Sequence, residues 1–248
     1  MTYEVLATNR GYDLAYIKAE GESPTVIFLA GYRSDMEGTK AVYLEEQCRM
    51  RGQGFIRFDY EGHGHSGGDF AKGTLSLWTE DTLDVIDHLT QGPLVLVGSS
   101  MGGWISLLCA IQRPERVGAL IGLAAAPDFT LEIEARLTNE HRQSLKDQGY
   151  FEEPNDYSDE PYMFTRALLE DGRKNCLLGG SINLDIPVRL IQGMWDTDVE
   201  WQKAYRIKNA ITGGNTEVFL VEEGDHRLSR PEDLRLIDRT VVELSSGF

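Results

Sequence analysis

The chain has 248 residues, and 24 Lys and Arg side chains against 40 Asp and Glu side chains give it a formal net charge of −16. A surface this acidic repels phosphate backbones and anionic lipids, so we expect neither a nucleic-acid partner nor an anionic membrane surface. The charge also keeps a protein well solvated, which explains most of it without a substrate. No Pro- or Ser-rich linker divides the chain, and a single α/β domain of this size is common.

The three cysteines, Cys48, Cys109 and Cys176, are too few and too scattered for a disulfide framework, and none forms a C-x-x-C motif. The first residues have neither the basic start and apolar run of a signal peptide nor the composition of a transit segment. No stretch is long and apolar enough to span a bilayer. The sequence therefore predicts a soluble protein of the cytoplasm, a reducing compartment, without a membrane span.

Strands and helices alternate through the first part of the chain. Two imperfectly alternating segments flank Asn9-Arg10-Gly11, which is typical of an antiparallel hairpin at the edge of a sheet. Short apolar runs then predict buried strands, and apolar residues three or four positions apart predict helices. The predicted elements are the hairpin strands 4–8 and 13–19, strand 25–30, helix 39–51, strand 54–58 and helix 75–89.

The next strand leads into a motif that points to a chemical function. The apolar run 94–97 continues into Gly98-Ser99-Ser100-Met101-Gly102, a G-x-S-x-G sequence, and then into a helical pattern. In a strand, turn and helix of this kind, the serine lies on a sharp, strained turn that projects its hydroxyl from the sheet. The pentapeptide alone also fits an ordinary glycine-rich turn. Its setting predicts that Ser100 is a catalytic nucleophile.

The second part of the chain continues the alternation after one interruption. We predict strands at 117–124, 188–192 and 216–221, a helix at 199–211 and a closing helix after Pro231. Residues 129–185 instead form polar, amphipathic pieces, which indicate a small helical lid over the site. The fold class is therefore α/β, with a mainly parallel, doubly wound sheet. Residues 1–128 and 186–248 are the core of a single domain, and residues 129–185 are the lid insertion.

A nucleophilic serine needs a base to take its proton and a carboxylate to orient that base. In open α/β sheets, the catalytic and ligand-binding residues lie at the carboxyl ends of the strands. Of the five histidines, only His226 directly follows a late strand. The carboxylate should follow strand 188–192, where Asp196 and Asp198 compete. We favour Asp196, because Asp198 directly precedes the predicted helix, where an N-cap role explains it.

Acyl transfer also requires hydrogen-bond donors for the oxyanion. One donor should be the backbone N–H of Met101, directly after the serine, where the dipole of the following helix assists. The second should come from the loop after strand 25–30, where the N–H of Tyr32 is correctly placed. Gly31-Tyr32 also fits a simple turn with an exposed aromatic side chain.

The order Ser100, Asp196, His226 and several further motifs resemble those of the α/β-hydrolase superfamily. More narrowly, they are similar to its mitochondrial acyl-glucuronide esterase and palmitoyl-protein thioesterase group, over nearly the whole chain and including the lid. The motifs are Ala30-Gly31-Tyr32, Gly38-Thr39-Lys40-Ala41, Arg57-Phe58-Asp59-Tyr60 with Gly62-x-Gly64-x-Ser66, Gly98 to Trp104, Pro114-Glu115-Arg116-Val117, Gly193-Met194-x-Asp196 and Asp225-His226-Arg227.

The resemblance implies an α/β-hydrolase fold and a serine hydrolase that cleaves carboxylic esters or thioesters through an acyl-enzyme. Ser100, Asp196 and His226 would be the triad, the substrate would be a small-molecule ester or acyl thioester, and no cofactor or metal is expected. Many members of the superfamily begin the oxyanion loop with His-Gly, whereas this chain has Ala30-Gly31.

Four side chains are candidate substrate contacts: Arg33, Trp104, Phe151 and Tyr162. Arg33 would either attract a carboxylate-bearing substrate or pair with one of the many acidic side chains, and we favour the pairing. The apolar lid residues would line an acyl pocket or form the underside of the lid. They are Phe151, Tyr157, Tyr162, Met163 and Phe164.

Three alternatives remain open at this point. A metallohydrolase would use His63, His65 and either Asp59 or Asp69 as ligands, since H-x-H places two imidazoles close together. A catalytically weak α/β-hydrolase would bind a ligand or a protein instead. The same scaffold could also catalyse perhydrolysis or cleavage of a C–C bond.

Overall fold

The computed structural model describes residues 2–155 and 160–248. The strands are β1 (Glu4–Ala7), β2 (Asp13–Ala19), β3 (Glu22–Leu29), β4 (Gln53–Phe58), β5 (Leu94–Ser99), β6 (Val117–Leu123), β7 (Tyr150–Glu153), β8 (Tyr162–Thr165), β9 (Val188–Gly193) and β10 (Thr216–Val221). The helices are α1 (Thr39–Met50), α2 (Leu75–Leu89), α3 (Met101–Gln112), α4 (Phe129–Ala135), α5 (Asn139–Asp147), α6 (Arg166–Lys174), α7 (Gln202–Ala210) and α8 (Pro231–Ser245), with a 3₁₀ helix at Phe70–Lys72.

A single large sheet organises the described residues, with its strands in the order β1-β2-β4-β3-β5-β6-β9-β10. β1 pairs antiparallel with β2, and β2 pairs antiparallel with β4. All further neighbours are parallel. The predicted class, a mainly parallel α/β sheet with an antiparallel hairpin at one edge, is therefore confirmed.

The parallel strands bring several loops together at one edge of this sheet. All six residues of β5 are buried, because β3 and β6 flank it and helices α3 and α8 pack against it. A strand in this position has no solvent-facing side, which explains its continuous apolar run. Since β3, β5, β9 and β10 share one direction, the loops that follow them lie on the same side of the molecule.

The helices follow the apolar spacing seen in the sequence. In α2 the inward face carries Leu75, Trp78 and Ile86, all fully buried. The hydroxyl oxygen of Thr74 accepts a hydrogen bond from the N–H of Leu77 at 3.2 Å and caps the first turn. Within the described residues, every helix falls short of the length and apolar character that a membrane crossing requires.

Residues 129–185 contain α4, α5, the two strands β7 and β8, and α6. The sequence predicts helical pieces here but not the antiparallel β7–β8 hairpin. The first of these pieces contains two separate helices, because α4 ends at Ala135 and Thr138 caps α5 by accepting from the N–H of His141 at 3.1 Å. The division of the chain into core and lid stays a prediction.

A buried ion pair joins α1 to the sheet. Nε of Arg57 on β4 lies 2.6 Å from Oε2 of Glu45 on α1, and both residues are at most 3% exposed. Burial alone would raise the pKa of Glu45, but hydrogen bonds from Arg57 and Arg49 outweigh burial and lower this pKa. The carboxylate is therefore ionised and depends on its cationic partners.

Replacing Arg57 by Met should lower the free energy of unfolding by about 3 kcal/mol, because it leaves a buried carboxylate with only part of its compensation. Urea unfolding followed by circular dichroism measures this loss. The matched control is Arg113→Met, which removes an exposed pair with Asp87 at 2.7 Å and should cost less than about 1 kcal/mol. Equal losses in the two variants would contradict the argument from burial.

Candidate active site

The turn between β5 and α3 holds Ser100 in an unusual backbone conformation. Its φ is 53° and its ψ is −116°, a region that residues other than glycine rarely adopt. Two hydrogen bonds of 2.9 Å hold the residue there: its N–H donates to the carbonyl of Leu123, and its own carbonyl accepts from the N–H of Gly103. The strained turn that the G-x-S-x-G sequence predicts is therefore present.

Close packing against the loop after β3 surrounds this turn. A Cβ at Gly102 would overlap the carbonyl oxygen of Leu29 and lie 2.6 Å from that of Ala30, so α3 can approach β3 only with glycine here. A Cβ at Gly31 would lie 3.4 Å from the Cβ of Ser100. The oxyanion loop predicted from the sequence is consequently in contact with the serine turn.

A cavity of about 550 Å³ lies over the turn. Ser100, Met101, Tyr32 and His226 all line it, although they come from three distant parts of the chain. Met101 is the first residue of α3, so its backbone N–H belongs to the positive end of the helix dipole. The residues predicted as nucleophile, base and oxyanion donors thus share one cavity.

The imidazole of His226 is oriented by a buried carboxylate. Its Nδ1 lies 2.9 Å from Oδ2 of Asp196, whose side chain is fully buried. The same oxygen accepts a hydrogen bond from Nε2 of Gln192 at 2.9 Å. Because an ionised carboxylate can only accept, Nδ1 of His226 carries the proton in this pair.

The other oxygen of Asp196 organises the backbone after β9. Oδ1 accepts hydrogen bonds from the N–H groups of Asp198 at 2.9 Å and Val199 at 2.8 Å. Burial alone would raise the pKa of Asp196, but the hydrogen bond and charge of His226, together with these two N–H groups, lower it. Asp196 is therefore held in its ionised, accepting form.

Asp198 does not have the N-cap role that the sequence suggested. Helix α7 begins at Gln202, and Trp201 occupies its N-cap position. The N–H groups that a helix starting at Val199 would use are instead bound by Asp196. Asp198 is exposed and lines the cavity.

The carboxylate of Asp198 lies within 4.8 Å of the potential metal-ligating atoms of Asp196 and His226. Two carboxylates and an imidazole could hold a cation, but Asp196 and His226 already satisfy each other at 2.9 Å.

Two of the four candidate substrate contacts lie in the cavity wall, and two lie behind it. Arg33 and Tyr162 line the cavity. Trp104 and Phe151 are nearly fully buried and are not among the described residues that line it. For Trp104 and Phe151 the expectation of direct contact is corrected, since both support side chains that do face the cavity.

Each of these two buried rings packs beneath a wall residue. The ring of Trp104 lies 5.6 Å from that of Phe129, and its Nε1 donates to the carbonyl of Asn175 at 3.0 Å. The ring of Phe151 lies 5.5 Å from that of Phe164. Phe129 and Phe164 line the cavity. Tyr157, which the sequence also suggested, lies outside the described residues.

The side chain of Tyr32 is the centre of an aromatic cluster rather than an exposed aromatic at a turn. Its ring stacks on Phe164 with centroids 5.4 Å apart and contacts Phe70, Trp78 and Tyr162. Its hydroxyl donates a hydrogen bond to the carbonyl of Met163. Burial raises the pKa of Tyr32 well above its ordinary value, so the hydroxyl stays protonated and able to donate.

Lys40 lines the cavity, although the sequence did not predict a role for it. Its ammonium donates a hydrogen bond to the carbonyl of Arg227, the residue directly after His226. Burial and the charge of Arg227 lower the pKa of Lys40 to about 8. The sequence signal that could have indicated it is the motif Gly38-Thr39-Lys40-Ala41 of the family resemblance, at the start of α1.

The metal-binding alternative is not supported by the arrangement of its residues. His63 is buried, with Nδ1 3.0 Å from the carbonyl of Glu61, whereas His65 stacks on the exposed ring of Tyr3. Asp59 accepts hydrogen bonds from the N–H groups of Met36 and His65, and Asp69 caps the 3₁₀ helix. In the described ranges, these four residues do not form a cluster within ligand distance of one another.

Comparison with known proteins identifies the family. The profile described as "Serine aminopeptidase, S33" matches residues 23–194. The chain belongs to this α/β-hydrolase family. The hydrolase is 39% identical over 233 residues to the palmitoyl-protein thioesterase ABHD10, mitochondrial, of Homo sapiens, covering 94% of this chain and 76% of that protein.

Two solved structures share the whole fold of the hydrolase. The alpha/beta hydrolase domain-containing protein 10 from mouse superposes with a TM-score of 0.92 and 37% identity, covering 100% of this chain and 99% of that chain. A protein from Agrobacterium vitis S4 gives 0.93 and 41%, covering 98% of each chain. The predicted superfamily and the narrower resemblance are confirmed. The cytoplasmic location and the absence of a nucleic-acid partner stay predictions, and the human relative is named as mitochondrial.

The buried His63 should make the stability of the hydrolase sensitive to mild acid. Burial lowers its pKa to about 4, below the ordinary value of 6.5, so the unfolded chain binds the proton more tightly. The stability that His63 contributes is complete above pH 6.5 and is lost progressively as the pH falls toward 4. From the difference between the two pKa values, this loss amounts to about 3 kcal/mol.

Unfolding by urea at a series of pH values between 7 and 4 tests this contribution. Since carboxylates titrate in the same range, the comparison is between variants: His63→Phe should lose clearly less stability on acidification than the wild type. The exposed His88 supplies the control, and His88→Phe should follow the wild-type pH dependence. Identical pH dependence in all three proteins would contradict the assignment to His63.

Proposed function

We propose that this hydrolase cleaves carboxylic esters or thioesters through a covalent acyl-serine at Ser100. The observation that carries the proposal is the 2.9 Å contact between Nδ1 of His226 and Oδ2 of Asp196, in a cavity that Ser100 also lines. With Nδ1 committed to Asp196, Nε2 is the nitrogen that exchanges a proton with the serine. The assignment therefore has Ser100 as nucleophile, His226 as base and Asp196 as the group that orients it.

The reaction then has two steps. In the first, Nε2 of His226 takes the proton of Ser100 while its oxygen attacks the acyl carbonyl, and the imidazolium gives this proton to the departing alcohol or thiol. In the second, His226 takes a proton from water, the resulting hydroxide attacks the acyl-serine, and the acid leaves as Ser100 recovers its proton. Asp196 remains ionised throughout and stabilises the imidazolium, which agrees with its lowered pKa.

The oxyanion of each tetrahedral intermediate would be held by two backbone donors. The N–H of Met101 is at the start of α3, where the helix dipole favours negative charge. The N–H of Tyr32 directly follows Gly31, where a Cβ would lie 3.4 Å from the Cβ of Ser100. Both donors belong to the backbone, so their contribution is independent of the side chains at these positions.

The acyl group would lie against the apolar part of the cavity wall. Phe129, Ile133, Tyr162 and Phe164 line the cavity, and all four belong to the segment 129–185. We therefore propose this segment as a lid that covers the acyl chain. The human relative is named a palmitoyl-protein thioesterase, which supports long-chain thioesters as substrates alongside oxyesters.

Ser100→Ala should lower the turnover of p-nitrophenyl esters at least about 10³-fold, and His226→Ala should have a similar effect, since each removes a group that acts in the transition state. Asp196→Asn should cost somewhat less. Both Ser100→Ala and pretreatment with a fluorophosphonate should also abolish labelling by a fluorophosphonate probe.

The control is Ser181→Ala, which alters an exposed serine in the described residues outside the cavity wall and should leave turnover and labelling unchanged. Retention of a tenth of the wild-type rate by Ser100→Ala would end the proposal. A wild-type protein that releases no acid from short or long acyl oxyesters and thioesters would instead be a ligand-binding member of the family.

A further inference from the structure

A second, smaller pocket of about 130 Å³ adjoins the cavity. The two share Arg33, Ser34 and Asp35, the residues directly after the oxyanion loop. The remaining walls of this side pocket are the loop 62–64, Phe70 and Glu160. A group bound near Ser100 could therefore extend past Arg33 into the side pocket.

One wall presents a buried hydrogen-bond acceptor. His63 is 4% exposed, and its Nδ1 lies 3.0 Å from the carbonyl of Glu61, which also accepts from Nε1 of Trp78 at 3.2 Å. A carbonyl can only accept, so Nδ1 of His63 carries a proton. Burial lowers the pKa of His63 to about 4, so at neutral pH the ring is neutral and Nε2 is an acceptor. Within the described residues, Nε2 has no hydrogen-bond partner.

Arg33, which also lines the side pocket, presents a buried donor. Nε of Arg33 is buried and likewise has no hydrogen-bond partner in the part of the chain that the structure describes. Its guanidinium group lies over the ring of Phe70, 4.1 Å from the ring centroid, and its Nη1 lies 3.4 Å from Oε2 of Glu160. These contacts fix the side chain while the Nε–H remains unused.

A buried donor and a buried acceptor without partners are each unfavourable, so a ligand that satisfies both gains affinity. A hydroxyl group does so, because it accepts one hydrogen bond and donates another. We infer that the side pocket binds a hydroxyl group of the alcohol part of the ester, which accepts from Nε of Arg33 and donates to Nε2 of His63. This inference rests on the proposed esterase function.

The alcohol part is favoured over the acyl part by the chemistry of the walls. The apolar side of the large cavity, with Phe129 and Ile133, suits a hydrocarbon chain. The side pocket has a polar wall instead, which includes Arg33, Ser34 and Asp35. A hydroxylated alcohol such as glycerol therefore matches the side pocket better than a simple alkyl alcohol.

The test compares two esters with the same acyl chain, 1-octanoylglycerol and propyl octanoate, by titration of the released acid. The wild type should show the higher kcat/KM for the glycerol ester. In His63→Phe, which keeps an aromatic ring in the cluster but removes the acceptor, the ratio of the two kcat/KM values should fall about tenfold. His88→Phe is the matched control and should keep the wild-type ratio.

Arg33→Lys keeps the charge but removes the Nε–H, so it should lower the same ratio, and it decides the question if His63→Phe fails to unfold cooperatively. Equal ratios in the wild type and the folded variants would overturn the inference and leave the side pocket to solvent. A wild-type ratio that does not favour the glycerol ester would also overturn it. A wild type that hydrolyses neither ester would instead contradict the proposed function.

Discussion

The backbone of the turn between β5 and α3 is the constraint on which the whole site depends. Ser100 keeps a positive φ of 53° because the neighbouring strand and the first helical turn both hydrogen-bond to it. Gly98 is required at the end of β5, since a Cβ there would overlap the carbonyl of Gly102 and the hydroxyl of Ser106. The conformational strain is thus offset by contacts of the surrounding fold, and the serine is positioned without help from a ligand.

Much of the fold could be predicted from the sequence, because its signals are local. The buried strand β5 and the helix α2 show their periodicity within one window, and both have the expected positions. The β7–β8 hairpin has no such signal. Its strands contain only four residues each, and eight residues separate them, which is longer than the two to five residues by which a hairpin loop is usually recognised in a sequence. The late start of α7 was equally hidden, because the N–H groups near Val199 are taken by the side chain of Asp196.

For the site, the sequence placed the groups that follow strands but not the walls around them. Asp196 and His226 follow β9 and β10, where the rule about carboxyl strand ends predicts them. That rule left Asp198 as an alternative to Asp196, and the N-cap role that favoured Asp196 is not one that Asp198 has. The wall depends on side-chain direction and on packing between distant segments. Trp104 lies four residues after Ser100, yet its indole bonds to Asn175 behind the wall, whereas Lys40 reaches the cavity from α1. The direction in which the side chain of Trp104 or Lys40 points cannot be obtained from residue spacing.

The position of β10 has a consequence for how the protein acquires its function. β10 is the last strand of the sheet in chain order, it lies at an edge with β9 as its one neighbour, and His226 follows it. A polypeptide emerging from the ribosome therefore carries Ser100 and Asp196 well before the imidazole. With the roles proposed above, the nascent protein cannot hydrolyse acyl compounds until its final strand has docked. Hydrolysis therefore begins only when synthesis is nearly complete.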